Sequence, residues 1–64
     1  MTVNELTKEL RRAGCYLLRH GAKHDIWYSP LTGKQTQVSR HGTEELKQKT
    51  LRSILTRLLG RKPG

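Results

Sequence analysis

Three histidines, His20, His24 and His41, are the side chains of this 64-residue chain best suited to proton transfer near neutral pH. An unperturbed imidazole titrates at roughly pH 6.5. They stand among thirteen Lys and Arg and five Asp and Glu, a formal net charge of +8. Such an excess draws in polyanions. Imidazole amid cations is the equipment for cleaving an RNA phosphodiester without a metal. A base takes the 2′-hydroxyl proton, an acid protonates the leaving 5′-oxygen, and cations stabilise the phosphorane.

His24 has the most suggestive setting. It follows Gly21-Ala22-Lys23, where Gly permits a tight turn close to a phosphate and Lys23 sets a cation beside the ring. On spacing alone, His24 is more often an ordinary exposed residue at a strand end than a catalytic one. Arg40 and His41 form a second candidate, as a phosphate clamp and second proton group, although loop packing explains His41 as well. His20 reads as a surface residue or minor phosphate contact. Asp25 has the opposite side-chain parity to His24 and is expected to pair with a Lys or Arg. Arg11, Arg12, Arg19, Lys23, Lys34 and Arg40 are candidate contacts to an RNA backbone, which give affinity without sequence preference. Taken singly, each is as well explained by a solvated surface.

Cys15 stands alone, so it forms no internal disulfide, and no Cys/His cluster has zinc-ligand spacing. A buried small apolar group is its commoner fate. The N-terminal stretch carries Glu5, Lys8 and Glu9 and lacks the apolar core of a signal peptide. No apolar run approaches a membrane span. A reducing cytoplasm fits these features. An anionic membrane surface ranks below nucleic acid as a partner, because the apolar residues are split among several short segments. High charge for solubility alone is the plain alternative to both.

The elements that position these residues follow from periodicity. Val3, Leu6 and Leu10 make one helical stripe, predicting a helix from about Thr2 to Ala13, with Asn4 or Thr2 as N-cap and Gly14 just past its end. Cys15 to Arg19, His24 to Ser29 and Lys34 to Ser39 read as strands, with Pro30-Leu31-Thr32-Gly33 as a turn. The short connections require antiparallel neighbours. Trp27 and Tyr28 must point to opposite faces, one to the core and the other to a base or a protein partner. A single helical turn is expected at Glu44 to Lys47. Thr50 then caps a second helix bearing Leu51, Ile54, Leu55, Leu58 and Leu59, ended by Gly60, with Arg61-Lys62-Pro63-Gly64 as a frayed tail. The whole is one domain over residues 1–64: an α+β, α-β-β-β-α two-layer sandwich with both helices on one sheet face. Double-stranded-RNA-binding domains share this element order, which is an analogy of fold and not of function.

Two stretches carry a resemblance to a known family. One is Gly14-Cys15-Tyr16-Leu17-Leu18-Arg19-His20-Gly21-Ala22-Lys23-His24-Asp25-Ile26-Trp27. The other is Val38-Ser39-Arg40-His41 followed by Glu45-Leu46-Lys47 and Thr50-Leu51-Arg52-Ser53-Ile54-Leu55. In order and spacing they resemble the HicA (YcfA-like) toxin family of type II toxin–antitoxin systems. The resemblance implies a double-stranded-RNA-binding-like fold, endoribonuclease activity on mRNA, and inhibition by a HicB-type antitoxin. It maps the family's catalytic His onto His24; Arg19, Lys23, Arg40 and His41 are the accompanying candidates for RNA contact. No cofactor, metal or membrane enters this expectation. The chain departs from the family pattern at Ser39, where the pattern has Pro, and at Lys49, where it has Gly. Both positions bear on loop shape. The rival reading is a non-catalytic basic RNA-binding module in which His24 is incidental. A DNA-binding regulator is disfavoured, because the second helix exposes few groove-reading side chains.

Overall fold

The computed structural model describes residues 1–60; the Arg61–Gly64 tail expected to fray lies outside them. The chain forms α1 (Val3–Arg12), β1 (Tyr16–His20), β2 (Asp25–Ser29), β3 (Lys34–Val38) and α2 (Gln48–Leu59). The α-β-β-β-α order and the α+β class are therefore those the periodicity predicts.

Helix α1 starts at a capping box. Thr2 Oγ1 accepts from the Glu5 amide, and Glu5 Oε1 accepts from the Thr2 amide at 3.0 Å. Of the two caps considered, Thr2 is the cap; Asn4 lies inside the first turn, its amide bonded to Gly42 O at 2.9 Å. Val3, Leu6 and Leu10 are buried, as their spacing requires. The helix closes at Ala13, and Gly14 takes a φ of 94°, a left-handed conformation that suits Gly.

The three strands make an antiparallel sheet in the order β1-β2-β3. Trp27 pairs with Leu17 on one side and Thr36 on the other, while Ile26 pairs with Arg19 and Gln37. Leu18 is the extra residue of a bulge in β1. Period-two alternation sends Trp27, Ser29 and Val38 to one face. There Trp27 and Val38 join Leu6, Leu10, Ile54 and Leu58 in the core. Both helices thus cover the same face.

Trp27 is the core aromatic, 3% exposed, with the Arg11 guanidinium 5.3 Å from its ring centroid. Tyr28 lies on the open face against Tyr16, their ring centroids 5.6 Å apart. Cys15 is free and buried in the core.

Three expectations are corrected. Strand β1 begins at Tyr16 rather than Cys15, and all five of its residues lie at the surface, including Tyr16 and Leu18. It is an edge strand whose apolar character does not reflect burial. Glu44 to Lys47 forms no helical turn: Leu46 is drawn into the core, its amide bonds Met1 O at 3.0 Å, and Glu45 bridges to Thr2. Thr50 does not cap α2. The cap position is Lys47, in extended conformation with no side-chain hydrogen bond, and Thr50 lies within the first turn. Packing of Ile54 and Leu58 holds the helix without help from a cap. Gly60 ends it with a φ of 68°.

Candidate active site at the end of the first hairpin

Residues Gly21 to His24 connect β1 to β2. The Gly21 amide bonds the His24 carbonyl at 2.8 Å, which closes the turn. A Cβ on residue 21 would stand 2.7 Å from that same carbonyl oxygen, so only Gly fits. The sequence assigns Gly21 to turning and phosphate approach; the closer constraint is its contact with the His24 backbone.

Asp25 stiffens the base of this loop. Its Oδ1 lies 2.7 Å from His20 Nδ1 and accepts from Arg40 Nε at 3.0 Å. Arg40 also donates through Nη2 to the Gly21 carbonyl. The guanidinium thus ties strand β2, the loop and the segment after β3 together. The His20 bond, then that from Arg40, holds the Asp25 carboxyl below the usual carboxylate range. The side chain is 18% exposed, so solvent screens the group in part.

His24 is exposed, immediately before β2. It lines a shallow depression of about 340 Å³ together with Gly21, Ala22, Lys23, Ile26 and Gln37. The imidazole therefore has solvent access, a neighbouring ammonium group and room for a phosphodiester. Asp25 is engaged by His20 and Arg40, so the two adjacent residues differ: the Asp25 side chain braces the loop, and the His24 side chain is exposed to solvent.

The other candidates are placed as follows. Lys23 shares the depression with His24. Arg40 reaches the loop, as its position after the third strand suggested, but through Gly21 and Asp25. His41 is exposed and does not line the depression; its amide bonds Ser39 Oγ at 3.2 Å, so the Ser at the departing position shapes this bend. Arg19 is exposed on β1 opposite Ile26. The other departing position, Lys49, lies in the first turn of α2 and not in a loop.

Two neighbours escaped the sequence reading. His20 is the partner of Asp25, a pairing that a four-residue loop from 21 to 24 requires. Gln37 enters the depression because β3 sets it beside Ile26 on the open face. Both follow from register, once it is known.

Among the described residues no helix is long and apolar enough to cross a membrane. Comparison with protein-family models matches residues 3–59 to the family described as HicA toxin of bacterial toxin-antitoxin. Neither the curated proteins nor the solved structures searched yielded a match. The matched span takes in all five elements and the His24 loop. The chain belongs to the HicA toxin family of bacterial toxin–antitoxin systems.

Proposed function

We infer that this toxin is a metal-independent endoribonuclease that cleaves mRNA, with His24 as its catalytic residue. The observation that carries this reading is an exposed imidazole beside Lys23, in a depression at the end of a hairpin braced by Gly21, Asp25 and Arg40. Neutral His24 takes the proton of the 2′-hydroxyl. The 2′-oxygen bonds to phosphorus and the bond to the 5′-oxygen breaks. The imidazolium so formed is the acid that protonates the leaving 5′-oxygen, which restores neutral His24. Lys23 offsets the charge that builds on the phosphoryl oxygens. One proton-transfer group of this kind contributes about a hundred- to ten-thousandfold in rate. Arg19 and His41 serve as outlying RNA contacts, while Arg40 acts mainly by holding the loop.

Membership of a toxin–antitoxin family brings an antitoxin partner. A HicB-type antitoxin would inhibit by covering the basic surface and His24, with acidic groups facing the toxin's cations. The site of action is the cytoplasm, where mRNA is found.

The products test the chemistry. In excess EDTA, cleavage should leave a 2′,3′-cyclic phosphate and a 5′-hydroxyl, and a 2′-deoxy substitution at the cut site should abolish it. Cleavage that stops in EDTA, or that survives the 2′-deoxy substitution, contradicts the mechanism.

A further inference from the structure

A depression larger than the one at His24 is present among the described residues. It lies between α2 and β3, spans about 600 Å³, and is lined by Lys34, Lys49, Arg52 and Arg57 with Ser53 and Thr56. A second depression of about 410 Å³ shares Lys49 and Ser53 with the first and extends to Thr36 and Gln37. Gln37 in turn lines the His24 depression. The three are therefore consecutive, linked by shared walls from Arg57 to His24.

Charge along this path is of one sign. Lys34, Lys49, Arg52 and Arg57 are all exposed. Among the described residues none of the four takes part in a salt bridge. The five acidic residues of the chain are Glu5, Glu9, Asp25, Glu44 and Glu45, so α2 holds none of them. Lys49, Arg52, Ser53 and Thr56 recur at i, i+3, i+4 and i+7, which places them on one face of the helix. Helix α2 thus bears two stripes: Ile54 and Leu58 toward the core, and this polar, cationic one along the groove. The start of the helix adds to the field. It has no side-chain cap and no acid in its first turn, so its amide dipoles favour an anion there.

We propose that the groove between α2 and β3 is the track for the sugar–phosphate backbone of single-stranded RNA, leading over the β3 edge at Gln37 to His24. Cations spaced along a groove that follows the backbone are the general means of holding a single strand. The path favours a single strand over a duplex. The α2 side of the groove lies on the helix side of the sheet, whereas Ile26 and Gln37 belong to the open face. A strand that follows both must bend around an edge, which free backbone torsions allow and a stiff A-form duplex resists. This deepens the nuclease reading and rests on it only for the identity of the terminus, His24.

The experiment measures binding of a fluorescent, fully 2′-O-methylated RNA of about twelve nucleotides, which this chemistry cannot cleave, to the full chain. Arg52→Gln with Arg57→Gln removes two groove charges; Thr7→Glu with Lys8→Gln lowers the net charge by the same two units on α1, away from every candidate RNA contact. The groove pair should weaken binding about tenfold and lower the log–log salt slope by about 1.4, at about 0.7 per single-strand phosphate contact. The α1 pair should shift neither by as much. Ser53→Glu, an exposed mid-groove change, should weaken binding further with the thermal midpoint kept. Equal losses from the groove and α1 pairs would mean that net charge alone matters and would overturn the track. So would a duplex of the same length binding more tightly than the single strand. Binding lost in the groove pair while His24→Ala still cleaves would keep the track and sink the catalytic assignment.

Discussion

The two helices begin in opposite ways. At α1, the protein satisfies its own backbone. The Thr2 and Glu5 amides bond within the capping box, those of Val3 and Asn4 bond Glu44 O and Gly42 O, and the Met1 ammonium pairs with Glu45 at 2.7 Å. At α2, no side chain caps the first turn and no acid offsets its dipole, while Lys47 and Lys49 add positive charge. Unsatisfied helix amides and uncompensated charge reduce stability. A chain this small has little stability to spare. The backbone at the start of α1 is satisfied from within the fold, whereas the start of α2 keeps free amides and uncompensated positive charge, as the proposed RNA track requires. An antitoxin that binds the folded toxin would add back stability by mass action.

The largest effect that sharpens this contrast lies within α2 itself. Leu58 is fully buried, and Leu58→Ala should cost about 2–5 kcal/mol, read as a fall in the urea midpoint. Arg52→Gln on the opposite stripe should stay within about 0.5 kcal/mol of the parent. A large stability loss at Arg52 would break the distinction between a structural and a binding face. At the loop, Gly21→Ala forces a Cβ against the His24 carbonyl and should cost about 1–3 kcal/mol, with a proportionately greater loss of cleavage than of RNA binding.

The caps come next. Thr2→Ala should lower stability by about 1 kcal/mol. Lys47→Asp should do the reverse, raising the melting temperature by supplying the missing cap while weakening RNA binding. If Lys47→Asp leaves RNA affinity unchanged, the start of α2 is not a phosphate site.

The smallest effect concerns acid. His20 and Arg40 bond the charged form of Asp25, so its folded carboxyl titrates below the unfolded value. As pH falls, the unfolded chain takes up this proton first. The stabilisation is full above the ordinary carboxylate range, about pH 4, and is lost as pH drops through the lowered native value. Asp25→Asn should flatten this acid limb of the stability curve. An unchanged limb in that variant would remove Asp25 as its source.

Much of the fold was legible because its signals are local. Val3, Leu6 and Leu10, the Pro30–Gly33 turn, and Gly14 and Gly60 each act within one element. What failed depends on partners distant in the chain. Leu46 joins no helical turn because the core and the Met1 carbonyl claim it, which no window around Glu44 reveals. Tyr16, Leu17 and Leu18 mark a strand by their apolar character, but that β1 is an exposed edge depends on the pairing order of the sheet. At the candidate site, His24, Lys23 and Arg40 were named from residue type and resemblance, but the Asp25 fork that joins His20 to Arg40 needs the register. The cationic stripe of α2 was present in the spacing of Lys49, Arg52, Ser53 and Thr56, masked by the stronger apolar stripe beside it.

In the proposed function, the His24 imidazole moves the protons of RNA cleavage. Its most direct test compares parent and His24→Ala protein on one single-stranded RNA in EDTA, with binding measured in parallel. A proton-transferring His24 requires a hundredfold or greater loss of cleavage, from the range of about 10² to 10⁴ expected of one such group, at unchanged RNA affinity and melting temperature. Undiminished cleavage by the folded variant would contradict it.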